Sequence, residues 1–493
     1  MSSKKIVKNT SVLLLAFIGR KLLTFVYFAL IARYMGANTT GLYFLLIAFS
    51  TLFTALMDFG LTPILIREGS QSPNEVSRYF NNIISIKLVL CLVASVSGAV
   101  LITLLNYPTI TRQLVYLVLM SMCLESFSTS FYGALRVRNE MKYEARGMVI
   151  GGFITLFIGG ISVWRGLSIY YLVLAIMGGN VFNFLYSLSR VFRKMRLSLR
   201  ISFDQELVQK FSVLAVPFFL VAIFDKLLFI DTFLLSYLAN SEVVGWFSVP
   251  STVVQSFTFI PVALSTALFP ALSSYHVTSR ERLIRTFERS WYVLTLFIVP
   301  SALGIAVLAP EIVRFFFGVS YGASILPLRI LIFSLIPIFS NFPIGTLLNA
   351  CHRQVTRTIL MSLAAVLHIV LSILLIPRYA AVGIAWSALT SHALMLFLGI
   401  YWVRPLVGKA LITYFKDSAK VILAAFLMGI VVIFLKKYLN LFVVMPVGGF
   451  VYVISLLVLQ GITGGGFSRE KSLSFYFELT KYFTKQKLKI PQA

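Results

Sequence analysis

Nine charged residues sit within or at the edges of long apolar stretches. The bases are Arg20, Lys21, Lys87, Lys226 and Arg329, and the acids are Asp58, Glu125, Asp225 and Asp231. A charge near the middle of a membrane-spanning helix costs roughly 3 kcal/mol or more unless it meets water or a partner, so each is a functional candidate. Cations at that depth suit an anionic cargo. Arg20 is the first choice for an oxyanion, because a guanidinium can engage two oxygens at once. Pairing with an intramembrane carboxylate is its alternative role. Arg20 and Lys21 lie mid-way along their span and point about 100° apart on a helix, so they can serve different ends. Lys87 and Lys226 complete the proposed anion-binding set. Lys87 lies one to two turns into its span and could equally snorkel to the surface. Lys226 is near the centre of its span, and the adjacent Asp225 does not share its face. Arg329 follows Pro327 near a helix start, where a structural or interfacial role is expected.

Among the acids, Glu125 is the preferred coupling-ion site, since a carboxylate shielded from bulk water can bind and release H+. Asp58, Asp225 and Asp231 are further candidates, each with a salt-bridge role as its alternative. The expected coupling ion is H+ or Na+; no metal or other cofactor is implied. Neither a GxxxxGK[ST] loop nor an HExxH helix occurs, and no catalytic residue is assigned.

These residues need helices to hold them. The chain of 493 residues is 59% hydrophobic and only 12% charged, far from the composition of soluble globular proteins. At about 20 apolar residues per crossing, its hydrophobic runs predict fourteen spans, from 11–32 and 42–66 through to 418–435 and 441–462. The net charge is +26, from 43 Lys and Arg against 17 Asp and Glu. With the N-terminus cytoplasmic, 31 bases fall in inside segments and 7 outside. The positive-inside rule then places both termini in the cytoplasm and favours an even span count. Bases that punctuate apolar runs also exclude a nucleic-acid surface. Cys91, Cys123 and Cys351 form neither a CxxC nor a His-flanked set.

Polar residues recur at helical spacing: Thr51, Thr54, Asp58 and Thr62; Ser121, Glu125, Ser128, Thr129 and Tyr132; Asn180, Asn183 and Ser187. Such stripes usually mark helix contacts, but three in one half suggest a wet cavity. Prolines gather in spans seven to ten, where they either let the C-terminal half bend more or shape the cavity statically. The basic tail 467–493 carries aromatic residues at helical spacing, as an amphipathic helix on the inner leaflet would, with a solvated basic tail as the alternative. An internal repeat relates Tyr34 to Phe44 with Tyr237 to Phe247, aligning Gly41 with Gly245. Its spacing suggests two lobes of six helices around a central cavity.

Several runs resemble those of a known family: Met57-Asp58-Phe59-Gly60-Leu61 with Ile66-Arg67-Glu68, Gly245-Trp246-Phe247 leading to Leu268-Phe269-Pro270, Leu326-Pro327-Leu328-Arg329, Leu347-Leu348-Asn349-Ala350, and Ile376-Pro377-Arg378-Tyr379. Together, over roughly residues 5 to 460, they look like the lipid-linked oligosaccharide flippases (Wzx type), polysaccharide transporters of the multidrug, oligosaccharidyl-lipid and polysaccharide (MOP) exporter superfamily. The resemblance implies an all-α polytopic fold of two six-helix bundles in a V with two further C-terminal helices. The corresponding division is 1–200, 201–405, 406–466 for the additional pair, and 467–493 for the tail.

The implied cargo is an oligosaccharide on a polyprenyl phosphate or pyrophosphate, flipped across the plasma membrane for polysaccharide biosynthesis. Membrane lipids and other glycan-assembly proteins are candidate partners. A multidrug or cation extruder of the same superfamily is the alternative, disfavoured by so many intramembrane bases. A membrane glycosyltransferase or ligase is less favoured, because the outer loops are too short for a catalytic face.

Overall fold

A helix rises 1.5 Å per residue, so a stretch of more than 50 residues crosses about 30 Å of hydrocarbon twice. This limit governs the computed structural model, which describes residues 3–195, 199–226, 230–408 and 410–462 and contains no strand among them. The first helix, α1 (Ser3–Asp58), runs for 56 residues and is interrupted at Gly36, whose φ of 78° needs no side chain to be accommodated. It covers the first predicted span and most of the second. After a break at Phe59 and Gly60, α2 (Leu61–Gln71) completes that second crossing.

The remaining helices of the first half are α3 (Val76–Leu104), α4 (Thr109–Val137), α5 (Met141–Trp164), α6 (Ile169–Arg190), α7 (Gln205–Lys226) and α8 (Ile230–Leu238). The second half holds α9 (Ser241–Phe257), α10 (Phe259–Thr278), α11 (Arg280–Val307), α12 (Ala309–Phe317), α13 (Ile325–Phe333), α14 (Leu335–Ala350), α15 (Gln354–Val407), α16 (Ala410–Leu435) and α17 (Leu441–Ile462). Like α1, α15 is a double-length helix of 54 residues, turned at Ala380 (φ 47°) just after Pro377. Eleven helices among the described residues are long and apolar enough to cross a membrane, α1 with α2 counting as one and α15 as another. The chain is a multi-pass membrane protein.

Two compact units divide at 245/246. The sequence reading assigns residues from 201 onward to the second lobe, whereas α7 and α8 group with the first unit. The physical reason is a strap. Residues 200–204 lie along the start of α3 and are stitched to it: Arg200 N donates to Asn81 Oδ1 (3.3 Å), Ser202 N to Ser85 Oγ (2.9 Å) and Asp204 N to Asn82 Oδ1 (2.6 Å). Arg78 pairs with the Asp204 carboxylate, and Lys210 on α7 reaches Glu68 on α2 at 2.6 Å. The hydrogen bond and charge of Arg78 hold the Asp204 carboxyl below the ordinary carboxylate range. Beneath the strap, Phe80, Phe131 and Phe211 are buried in one apolar core.

In the second unit α11 is the spine. Trp291 stacks on Tyr414 of α16 at 3.9 Å, and the Tyr414 hydroxyl lies 2.8 Å from Thr295 Oγ1. On α17, Tyr452 donates to the Leu296 carbonyl (2.9 Å), and Gln460 donates to the Tyr292 hydroxyl (3.0 Å). The additional helix pair is therefore attached to α11 by polar anchors as well as apolar packing. The tail 467–493 lies outside the described residues.

Candidate functional site

Two intramembrane ion pairs organise the first unit. On α1, Arg20 Nη2 lies 3.0 Å from Glu125 Oε1 on α4, and the two side chains are 44% and 36% exposed. Facing hydrocarbon, such a pair would cost several kcal/mol; facing water, it would not. Contact runs through one guanidinium nitrogen, leaving the fork unsaturated by Glu125. The Thr24 hydroxyl donates to the Arg20 carbonyl and the Thr129 hydroxyl to the Glu125 carbonyl, each one turn on. Lys21 is exposed on a neighbouring face of α1.

In the second pair the cation is fully enclosed and the carboxylate is partly exposed. Lys87 on α3 has no exposed side-chain surface, and its Nζ lies 2.6 Å from Asp58 Oδ1, with Asp58 29% exposed. Nζ also donates to Thr62 Oγ1 (3.2 Å) and to the Ser126 carbonyl (2.8 Å). Three ammonium protons thus meet three acceptors. Thr62 gives its own proton to Asp58, so Ser130 Oγ, 3.0 Å away, acts as the donor toward Thr62. Lys87 is placed by the sequence reading either in an anion-binding cavity or snorkelling outward; the structure instead encloses it, because acceptors from three helices surround its head.

Asp58 occupies the last turn before the break. Phe59 (φ 47°) and Gly60 (φ 76°) follow it in left-handed geometry. A Cβ at Gly60 would lie 2.6 Å from Phe218 Cβ and 2.9 Å from the Ala215 carbonyl, so only glycine lets the break seat against α7. Phe59 stacks on Phe219 at 4.3 Å. The enclosed pair, the break and α7 form one contiguous assembly.

The polar stripes divide between seam and open face. Asn180 Nδ2 donates to Ser121 Oγ at 3.0 Å, and the Tyr132 hydroxyl donates to Asn183 Oδ1 at 2.9 Å, tying α4 to α6. Gly147 makes room for the Tyr132 hydroxyl on the face of α5. Glu125 leaves this seam to meet Arg20. Residues the sequence reading missed are Ser126 and Ser130, whose i, i+4 spacing was the available signal, and the strap acceptors Asn81, Asn82 and Ser85.

The other candidates are not brought to the Arg20 face by any contact described. Asp225 and Lys226 close α7, and their side chains lie outside the described residues. Asp231 opens α8 and is half-buried. Arg329 Nε donates to the Ala306 carbonyl at 3.2 Å, capping the end of α11. The repeat-related glycines meet: a Cβ on Gly41 would overlap the Ser241 carbonyl, and one on Gly245 would overlap that of Ala37. Among the described residues no group of three His, Cys, Asp or Glu could hold a metal ion, and Cys91, Cys123 and Cys351 are free thiols.

With this geometry established, comparison with known proteins places the fold. The lipid II flippase MurJ in an inward closed conformation superposes over 92% of this chain and 98% of its own, with a TM-score of 0.75 and 16% identity. An inward-facing multidrug resistance MATE transporter of the MOP superfamily matches over 79% and 95%, with a TM-score of 0.64 and 15% identity. A MOP superfamily transporter from Pyrococcus furiosus, described as having a binding pocket of reverse polarity, matches over 83% and 95%, with a TM-score of 0.50 and 15% identity. These likenesses establish a MurJ- and MATE-like fold. No curated protein sequence matches the chain. Residues 6–276, more than half of the chain, match the family described as polysaccharide biosynthesis protein, and the chain belongs to that family.

Proposed function

We propose that this protein is a flippase that carries an oligosaccharide linked to a polyprenyl phosphate or pyrophosphate from the cytoplasmic to the outer leaflet of the plasma membrane. It is a transporter and not an enzyme. The observation that carries the reading is the half-exposed Arg20 on an intramembrane face of the first unit, a guanidinium held by one carboxylate contact. A hydrated anionic headgroup must cross hydrocarbon while its polyprenyl tail stays in lipid. A wet face bearing a guanidinium lowers the cost of that crossing, and alternating access between two states releases the cargo.

Arg20 takes the phosphate, with Lys21 and Lys226 as further cationic contacts. Lys87 supports the same unit from within, through Asp58. Family membership in polysaccharide biosynthesis and the fold shared with a lipid flippase support this assignment. The coupling ion is H+ or Na+, with Glu125 the first carboxylate to test and Asp58, Asp225 and Asp231 after it. Both termini lie in the cytoplasm, a reading that the distribution of bases supports.

The test is translocation of a fluorescent lipid-linked oligosaccharide in proteoliposomes. Arg20→Ala is expected to lose at least tenfold in rate while inserting normally. Translocation at the parent rate by Arg20→Ala and Lys21→Ala together would reject the cationic route.

A further inference from the structure

The same face contains an anion already. Glu125 presents one carboxylate oxygen to Arg20 Nη2 at 3.0 Å, and both groups keep more than a third of their surface exposed. Beyond the Glu125 contact, none of the hydrogen bonds described engages the Arg20 guanidinium. Unlike Lys87, whose three donors are all taken inside the helix bundle, Arg20 is held by a contact that water can replace from outside. The carboxylate is chemically similar to part of a phosphate: its planar pair of oxygens matches the two non-bridging oxygens of an esterified phosphate, each able to accept from guanidinium.

A carrier that exports a bulky anion has two journeys to make, one loaded and one empty. Loaded, Arg20 is neutralised by the cargo. Empty, an unpaired guanidinium on an intramembrane face would resist the reorientation that closes water away from it. We infer that Glu125 is the internal stand-in for the cargo phosphate: it holds Arg20 neutral in the empty carrier, and the phosphate displaces it in the loaded one. This inference rests on the proposed flippase reading and assigns Glu125 the return step. The local geometry suits exchange. Glu125 is held in place by its backbone turn, where its carbonyl accepts from Thr129, while its carboxylate has Arg20 as the partner described.

Two consequences follow from competition for one guanidinium. Removing the stand-in charge must tighten anion binding, because the phosphate no longer has to displace a rival. It must also slow repeated turnover, because the empty carrier returns with a bare cation. A residue that only supported the fold would do neither of these together.

The experiment uses the full chain in nanodiscs of zwitterionic lipid with farnesyl pyrophosphate as the binding probe. A fluorescent polyprenyl pyrophosphate in proteoliposomes then reports multiple-turnover translocation. Glu125→Gln is expected to bind the probe about fivefold more tightly, the change an exposed ion pair accounts for at its upper end. Its multiple-turnover rate is expected to fall about tenfold. Glu125→Asp, which keeps the charge, restores both toward the parent. Unchanged or weaker probe binding by Glu125→Gln, or a parental turnover rate, overturns the stand-in role. Arg20→Ala separates the two readings. If it loses probe binding while Glu125→Gln binds as the parent does, the stand-in alone is rejected; if it binds the probe like the parent, the Arg20 cargo site falls too.

Discussion

The Lys87–Asp58 and Arg20–Glu125 pairs use the same chemistry in the same unit, yet their surroundings give them opposite uses. The first is enclosed by Thr62, Ser126 and Ser130 at a helix break; the second lies half open with a single contact. Burial makes a pair expensive to break and useless for exchange, since removing one partner strands a charge. Exposure makes a pair cheap to open, worth about 0–1 kcal/mol, and therefore available to a competing anion.

The contrast predicts a graded set of outcomes. Lys87→Met strands Asp58 beside the break and is expected to cost about 3–5 kcal/mol of stability, read as a lowered unfolding midpoint in detergent. Combining it with Asp58→Leu should recover most of that loss, because two apolar groups leave no orphan charge; a double variant no better than the single one would show that the pair does not act as a unit. Arg20→Ala is the converse case, changing stability by no more than about 1 kcal/mol while translocation drops at least tenfold. A comparable loss of stability in both single variants would erase the distinction between enclosed and open pairs.

Tyr132→Phe tests the seam beside the open face. It removes the donor to Asn183 and should lower stability by about 1 kcal/mol, with translocation per folded molecule maintained. Loss of translocation at full stability would move Tyr132 from the seam to the transport route.

The smallest effect is at the strap. Asp204 has a carboxyl held below its ordinary range by Arg78, so its contribution is complete above about pH 4, the unfolded carboxylate value, and fades as pH falls through the lower folded value. The difference in unfolding midpoint between the parent and Asp204→Asn should accordingly shrink between pH 5 and pH 3. A constant difference over that range would disconnect the ion pair from stability.

Much of this was readable from residue order. Apolar runs located the helices, including the two that continue through Gly36 and Ala380, because hydrocarbon thickness sets run length. The intramembrane bases stood out by type. Their partners did not: Arg20 and Glu125 are 105 residues apart, and helical phase fixes the face a residue occupies but not the helix opposite. The stripe through Ser121, Glu125 and Tyr132 shows the difficulty. A seam and a wet face share the same periodicity, and here one stripe supplies both, since Tyr132 and Ser121 turn to α6 while Glu125 turns to α1. The break after Asp58 was signalled only by Gly60, because the left-handed Phe59 before it carries no mark in the sequence. The placement of α7 with the first unit depends on Asn81, Asn82 and Ser85, ordinary polar residues at a helix start until a backbone is laid across them.

That backbone arrives late in synthesis. Ser85 leaves the ribosome about 120 residues before Asp204, an interval of roughly 6 to 24 s at usual translation rates. Throughout it, the row on α3 that receives Arg200, Ser202 and Asp204 has no native backbone to hold. The first six helices can be threaded in sequence, but that end of the unit is fastened only when the chain doubles back over it. Residues 200–204 are thus a closing clasp in the order of assembly, and until it is made Asn81, Asn82 and Ser85 lack these backbone partners.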